Sequence, residues 1–380
     1  HKIARNALFF VKDYQRCYPF GNLLGQVLHT IRSQKEEETQ QGLPTGGLEL
    51  YFNSYLKGQQ GKRRLMRSPR HALETGKVIT SPENGADIYL TIDPCLQAIA
   101  EEEIKKGVDY CFAKCGWVVM MEPKTGQILA LAQYPSFDLA NYQRYFNDPD
   151  LIEHTKVKAV TDANEPGSVF KPFTIAIALK ANQYLIEKGE RPLFSPEEKI
   201  DTKSGQFPGR SRPISDTRVH HFMNLDMAIQ KSSNIYMGRL VERIIDRIGE
   251  AWFREQIQLF GFGVKTKIEL PAESAGVVPT PGKRHPNGML EWSTPTPFSI
   301  AMGYNLQSNS IQIARALSVL ANGGYLNQPT LVRKIVKKSK DGKQEVLIDH
   351  TQELNPYPYP QIIDESIAKR VVEAMCFVNK

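Results

Sequence analysis

The sequence lacks a long apolar run. A helix that crosses a bilayer needs about 20 consecutive, predominantly apolar residues, and no such run occurs in the 380 residues of the chain. A signal peptide is not recognisable either, and the chain does not begin with Met. Because its first residues are typical of the middle of a domain, we expect the sequence to be cut at both ends.

Signatures of nucleic-acid binding are also missing. Lys and Arg number 48 and Asp and Glu number 41, which gives a formal net charge of +7. A basic excess favours anionic partners, such as nucleic acid, a phospholipid surface or an acidic polymer, but does not choose among them. Since no RNP, zinc-finger or basic-helix pattern is present, we do not expect nucleic acid as a partner.

Cysteine is scarce, and its spacing indicates no metal site. The five cysteines form no C-x-x-C pair, and Cys111 and Cys115, four positions apart, have no His nearby. We therefore predict no bound metal and interpret the cysteines as buried small apolar residues. They are Cys17, Cys95, Cys111, Cys115 and Cys376.

Apolar residues make up 41% of the chain, enough for a sizeable core, and the length suggests two domains or more. A strand pattern, ADIYLTID, leads into a helix predicted over 93–108, which Asp93 caps and Pro94 opens. Two apolar arms around a turn at Pro123–Gly126 predict a buried hairpin. Long helices on a sheet opened by a hairpin indicate an α+β fold. Further helices are predicted over 168–182, 224–231, 235–247 and after a capping Asp364.

The strongest chemical signal is the segment EPGSVFKP over 165–172. Gly167 allows a tight approach, and Ser168 is expected to open a helix. Lys171 follows three positions later, which places both side chains on one helix face about 5–6 Å apart. Pro172 is tolerated because it falls in the first turn, where its missing N–H has no partner inside the helix.

This spacing suits a nucleophile and its base. A serine hydroxyl is a weak nucleophile until a neighbour removes its proton. A lysine can do so only when it is neutral, and both burial and the positive end of a helix dipole lower its pKa. The spacing S-x-x-K also occurs in ordinary helices, with Ser as the cap and Lys in solvent. On its own it therefore does not identify a catalytic site.

A second signal is KSSN over 231–234, between two predicted helices. Ser232 and Asn234 place a hydroxyl and an amide side by side on a short turn. The hydroxyl can relay a proton between Lys171 and a leaving amine, and the amide can orient a substrate carbonyl and hold Lys171. An ordinary Ser/Asn helix cap explains the same letters when they are taken in isolation.

S-x-x-K followed by S-x-N resembles the motif set of penicillin-binding proteins and β-lactamases. The surrounding segments resemble class B penicillin-binding proteins over nearly the whole chain, although Ser310-Ile311 stands where Thr-Pro is usual. These segments, in order, are GGLELYFNSYLKGQQG, YLTIDPCLQ, MEPKTGQILALAQYPSFDLANY, ANEPGSVFKPF, QKSSNIYMGRL, FGFGVKTKIELPAE and IAMGYNLQSNSIQIARALSVLANGG.

The resemblance implies a role for each matching residue. Ser168 resembles the acylated nucleophile and Lys171 the general base. Ser232 resembles the proton shuttle and Asn234 the polar orienting group. The backbone N–H of Ser168 resembles half of the oxyanion hole. The implied reaction is peptidoglycan D,D-transpeptidation, in which stem peptides ending in D-Ala-D-Ala are cross-linked through a serine acyl-enzyme without any cofactor, and β-lactam antibiotics acylate the same serine.

The resemblance also implies an architecture and a location. It predicts a penicillin-recognising serine transpeptidase fold, also that of β-lactamases, with a mostly antiparallel sheet flanked by helices over 86–380. A partial pedestal, or dimerisation-like, portion is expected over 1–85. The protein would face the periplasm at the inner membrane, anchored by an N-terminal helix outside this sequence. Division or elongation membrane proteins would be its partners.

The third motif of the family, K-T/S-G, is not found at the expected place. In the family this motif lies on a strand that follows the helix predicted here at 364–376, and the chain ends at Lys380 before that strand. We therefore expect the transpeptidase domain to lack its last strands, the second half of its oxyanion hole and some stability. The letters KTG do occur at 124–126, but they precede Ser168 and fall in the predicted hairpin turn.

Two other functions remain open at this point. A β-lactamase or β-lactam sensor of the same fold would carry the same two motifs, but such proteins usually lack a pedestal like residues 1–85. A non-catalytic cell-wall scaffold would bind partners without chemistry, but the intact Ser168, Lys171, Ser232 and Asn234 argue against it.

Overall fold

The computed structural model describes residues 16–35, 42–66, 74–339, 341–351 and 359–379. Part of the predicted pedestal portion therefore lies outside the described residues. Within these ranges no helix is both long and apolar enough to span a bilayer. The strands are β1 (Ile31–Lys35), β2 (Gly42–Pro44), β3 (Lys62–Met66), β4 (Glu74–Thr80), β5 (Asp87–Leu90), β6 (Gly116–Met121), β7 (Ile128–Tyr134), β8 (Ile200–Asp201), β9 (Phe222–Met223), β10 (Val332–Lys338) and β11 (Gln344–Asp349).

Helices account for most of the remaining regular structure, together with short 3₁₀ turns such as Gly167–Phe170. The helices are α1 (Gly25–Leu28), α2 (Gly47–Tyr51), α3 (Asn53–Leu56), α4 (Pro94–Cys111), α5 (Tyr142–Asn147), α6 (Lys158–Thr161), α7 (Lys171–Glu187), α8 (Leu225–Gln230), α9 (Asn234–Arg247), α10 (Glu250–Leu259), α11 (Thr296–Ile300), α12 (Ser310–Ala321) and α13 (Glu365–Met375).

The paired strands are antiparallel. In one sheet β10 lies between β5 and β11, with Ile335 opposite both Ile88 and Ile348. The predicted hairpin is formed by β6 and β7, with Val119 opposite Leu131. Helix α4 packs on this hairpin, as expected for α+β architecture with helices covering an antiparallel sheet.

Helix α7 occupies the centre of the largest core. Its residues from Lys171 to Ala178 are buried all round, which is typical of a helix surrounded by other helices. Helices α9, α10 and α13 pack against it. The rings of Phe170 and Phe173 meet those of Phe260 and Phe262 at its N-terminal end, which fixes the position of the turn before the helix.

A second core joins residues from the predicted pedestal portion to the sheet. Leu24, Val27 and Phe52 share it with Ile128 and Ile335. The two parts therefore pack together through a common apolar interior. The boundary near residue 85 stays a prediction.

Of the two predicted helix caps, Asp93 forms one and Asp364 does not. Asp93 caps α4 as predicted, because its side chain accepts hydrogen bonds from the N–H groups of Cys95 and Leu96. Asp364 precedes α13 but makes no side-chain cap, since its carboxylate accepts from Gln183 instead. A contact with α7 thus replaces the expected local one.

Helix α12 shows how the departure at residues 310 and 311 is accommodated. Asn309 and Gln312 form a capping box around its start. The Ser310 hydroxyl accepts a hydrogen bond of 2.8 Å from the indole N–H of Trp117 in β6. Ile311 is buried in the core that the sheet shares with the N-terminal helices.

The interpretation of the cysteines as buried residues is wrong. Four of them are exposed and Cys115 is half-buried. Cys95 and Cys111 lie in the first and last turns of α4, and both are exposed. The average tendency of cysteine to be buried is overridden by these positions at helix ends.

Candidate active site

Ser168 lies in the 3₁₀ turn Gly167–Phe170, directly before α7, whereas the sequence predicted it as the first residue of the α-helix. The reason is Pro172. An α-helical bond from the Ser168 carbonyl would need an N–H at that position, and proline has none. The carbonyl therefore accepts from the Lys171 N–H, one residue earlier, and the turn tightens.

A neighbouring strap, residues 303–305, fixes this turn. The Gly167 N–H donates to the Gly303 carbonyl oxygen at 2.9 Å, and the Asn305 N–H donates to the Glu165 carboxylate at 2.8 Å. A Cβ at Gly303 would lie 2.0 Å from the Gly167 carbonyl oxygen, so this approach requires glycine. Sequence reasoning missed the strap, because its residues are far from Ser168 along the chain.

The Lys171 side chain is only 1% exposed and points at the second motif. Its ammonium donates to the carbonyl oxygen of Ser232 at 2.5 Å and to the hydroxyl oxygen of Ser232 at 2.8 Å. The Ser232 hydroxyl in turn hydrogen-bonds the Ser168 hydroxyl at 3.2 Å. The three predicted residues thus form one continuous path, in which Ser232 connects Lys171 to Ser168.

Burial lowers the pKa of Lys171 from 10.5 to about 8, against the opposing charge of Asp216. Removing an ammonium from water disfavours its charged form, whereas a nearby carboxylate favours it. With a pKa of about 8, roughly a tenth of the molecules carry a neutral Lys171 at pH 7. A base that is neutral to this extent can accept a proton near physiological pH.

Asn234 is the first residue of α9 and is half-buried beside the path. Its side-chain amide donates to the Ser215 carbonyl oxygen at 2.9 Å. The amide was predicted to hold Lys171 as well, but the ammonium donates to Ser232 instead. Among the described residues, the other amide hydrogen and the carbonyl oxygen of the Asn234 side chain have no hydrogen-bond partner. Asp216, which sequence reasoning also missed, approaches the same turn from a loop that carried no recognisable motif.

The letters KTG at 124–126 lie in the turn between β6 and β7, as predicted. The Gly126 N–H donates to the Glu122 carbonyl oxygen, and the Thr125 hydroxyl accepts from the Gln127 N–H. These bonds close the turn itself. In the described part of the chain no group of His, Cys, Asp and Glu is arranged to hold a metal ion.

Comparison with known families agrees with this arrangement of helices and antiparallel sheet. The family model "Penicillin binding protein transpeptidase domain" matches residues 116–379, and the model "Penicillin-binding Protein dimerisation domain" matches residues 5–90. The chain therefore belongs to the penicillin-binding protein transpeptidase family. The presence of both domains confirms the resemblance to its class B members.

Individual relatives support the assignment. The chain is 30% identical to a probable peptidoglycan D,D-transpeptidase, PbpC, of Pseudomonas aeruginosa over 85% of its own length and 51% of that protein. It is 32% identical to the probable peptidoglycan D,D-transpeptidase PenA of Neisseria gonorrhoeae over 83% and 49%. The chain thus spans about half the length of these relatives.

A solved structure shares the fold. Penicillin binding protein 3 of Mycobacterium tuberculosis superposes with a TM-score of 0.73 at 25% identity, over 99% of this chain and 71% of that one. This similarity confirms the predicted penicillin-binding protein fold.

Proposed function

We propose that this protein is a peptidoglycan D,D-transpeptidase that works through an acyl-enzyme on Ser168. The observation that carries the proposal is the hydrogen-bonded path from Lys171 through Ser232 to Ser168. It joins a buried lysine of lowered pKa to an exposed hydroxyl, which is the arrangement that an activated serine nucleophile requires.

In the first step, the Ser168 oxygen attacks the carbonyl carbon of the penultimate D-Ala of a stem peptide. Its proton moves to the Ser232 oxygen while the Ser232 proton moves to neutral Lys171. The bond from that carbonyl carbon to the nitrogen of the terminal D-Ala then breaks. The proton on Lys171 returns through Ser232 to this nitrogen, and D-Ala leaves.

In the second step, an amine of a neighbouring stem peptide attacks the ester carbon on Ser168. The amine loses a proton to the same path, the ester C–O bond breaks, and the proton is returned to the Ser168 oxygen. The peptide cross-link is formed and the enzyme is regenerated, without a cofactor.

The surroundings of Ser168 supply the remaining groups. The backbone N–H of Ser168 lies at the start of a helical segment, where N–H groups have no partner within the helix and favour a developing oxyanion. Asn234 would orient the substrate carbonyl with the amide groups that Ser215 leaves free. Neutral Lys171 keeps one N–H on the Ser232 carbonyl, which aims its lone pair at the Ser232 hydroxyl.

The comparisons also bear on the ligands, the location and the partners of the protein. Penicillin binding protein 3 of Mycobacterium tuberculosis is known in complex with ampicillin, and its likeness to this chain supports β-lactams as ligands here. We infer a periplasmic location at the inner membrane, and partners among division or elongation membrane proteins, from membership of the family.

The test uses the full-length protein with a peptide ending in D-Ala-D-Ala and a second peptide amine as acceptor. We expect D-Ala release and a cross-linked product from the wild type, and neither from Ser168→Ala. Ser195→Ala, an exposed serine outside the path, is the matched control and should behave as the wild type. Release of D-Ala by Ser168→Ala would refute the nucleophile.

The same proteins, given a chromogenic β-lactam, separate the alternatives. A transpeptidase is acylated once and turns over slowly, whereas rapid multiple turnover would identify a β-lactamase. No acylation of the wild type at all would favour a non-catalytic scaffold.

A further inference from the structure

The loop between β8 and β9 brings Asp216 to the N-terminus of α9. Ile214 anchors this loop, because it is buried in a small cluster with Ile235 of α9, and its N–H donates to the Gly205 carbonyl oxygen at 2.8 Å. A Cβ on Gly205 would lie 1.8 Å from the Ile214 carbonyl oxygen, so the crossing is closely packed. Asp216, two positions after Ile214, is therefore held in place.

Asp216 makes three hydrogen bonds to the consecutive residues Ser233, Asn234 and Ile235. One carboxylate oxygen accepts from the backbone N–H of Asn234 at 2.5 Å and from that of Ile235 at 3.1 Å. The other accepts from the Ser233 hydroxyl at 2.6 Å. The first N–H groups of a helix have no partners within it and attract negative charge, so a carboxylate is the acceptor that suits this position best.

These bonds hold the turn that carries the proton path. Ser232 has a φ of 51°, a left-handed conformation that is unfavourable for residues other than glycine. In this conformation both its carbonyl and its hydroxyl oxygen accept from Lys171. Because Ser233, Asn234 and Ile235 are hydrogen-bonded to Asp216, Ser232 cannot easily leave this left-handed conformation.

From this geometry we propose that Asp216 is a positioning residue of the transpeptidase site, which locks the Ser232–Asn234 turn and supplies the negative charge that faces Lys171. The inference deepens the proposed function and depends on it. Asp216 touches no reacting atom and acts through Ser232 and Lys171.

The charge of Asp216 opposes the effect of burial on Lys171. Several titratable side chains lie on the elements that meet around Lys171. They are Glu165, Lys180, Tyr184, Glu187, Asp216, Asp226, Lys231, Tyr236, Arg239, Glu242, Arg243, Asp246, Arg247 and Tyr304. Among the described residues, the charge that raises the pKa of Lys171 against burial is that of Asp216. Without this charge more Lys171 would be neutral at a given pH, but the turn that aims it would be less firmly held.

The test measures the second-order rate of acylation by a fluorescent penicillin as a function of pH. Asp216→Asn keeps an acceptor for the two backbone N–H groups and removes the charge. We expect the pH of half-maximal rate to fall by about one unit. Asp216→Glu keeps the charge but misplaces it, so its profile should stay near that of the wild type while the maximal rate falls about tenfold or more.

Asp246→Asn is the matched control, because it removes an exposed carboxylate from the same helix α9 and should change neither quantity. An unshifted profile in Asp216→Asn, or a wild-type maximal rate in Asp216→Glu, would overturn the role of Asp216 and leave the proposed function standing. A wild-type protein that is not acylated would overturn both. If Asp216→Asn did not fold, Asp216→Glu would still decide between the outcomes.

Discussion

Replacing Lys171 by Met should make the protein more stable and less reactive. The folded state holds the pKa of Lys171 at about 8, against 10.5 for an exposed lysine. The unfolded chain therefore binds this proton more tightly. Below pH 8 the folded state carries the full cost of a buried ammonium, about 3 kcal/mol from this difference. As the pH rises from 8 to 10.5 this cost disappears.

Met has a similar length and no charge, so the substitution removes the cost. It also removes the two hydrogen bonds to Ser232, each of which contributes about 1 kcal/mol. We expect a net gain of about 1 kcal/mol at pH 7. The gain should shrink between pH 8 and 10.5, since the wild type becomes more stable there and the variant does not.

The assay is urea unfolding at several pH values, together with acylation by a fluorescent penicillin. Acylation of Lys171→Met should fall by at least about 100-fold, because general base catalysis is lost. Lys180→Met is the control: this lysine lies on the same helix α7, and burial lowers its pKa against the charges of Glu255 and Asp364. It should show a smaller gain and normal acylation.

Two results would refute this reasoning. If Lys171→Met were less stable than the wild type at pH 7, burial would not disfavour the charged lysine. If acylation persisted, Lys171 would not be the base.

Two further predictions concern other parts of the fold. Burial lowers the pKa of His29 to about 4, so the stability that neutral His29 contributes is present above pH 6.5 and is lost as the pH falls towards 4. In urea unfolding, the free energy of unfolding of the wild type should fall by about 3 kcal/mol over this pH range. The fall should be smaller in His29→Gln. Gly303→Ala should lower the unfolding free energy by about 1–3 kcal/mol and slow acylation, because its Cβ meets the Gly167 carbonyl, whereas Gly282→Ala, with a similar positive φ and open space around it, should leave acylation unchanged.

Local signals predicted the elements that depend on neighbouring residues. The cap at Asp93 with Pro94, and the hairpin around Pro123–Gly126, follow from residues adjacent in sequence. The turn that joins Ser168 to Lys171 is also closed locally, by the Lys171 N–H, but the two side chains meet only through Ser232. The cap and the turns form between residues close in sequence, so composition and spacing determine them.

Contacts between distant segments could not be predicted. Asp216 reaches Asn234 across 18 positions, and the Gly303 strap reaches Gly167 from far along the chain. The left-handed Ser232 is stable only because these surroundings hold it. Asp364 likewise accepts a hydrogen bond from Gln183 on α7 and makes no local cap. Tertiary packing decided each of these positions, and no pattern in one sequence encodes it.

The most direct test of the account is to locate the acyl group after reaction of the full-length protein with a penicillin. Because Pro172 blocks tryptic cleavage after Lys171, Ser168 lies in the peptide from Ala159 to Lys180. Mass spectrometry should find the penicilloyl group on this peptide, at Ser168, and nowhere in Ser168→Ala. A penicilloyl group on another residue, or one that persists in Ser168→Ala, would contradict the central claim.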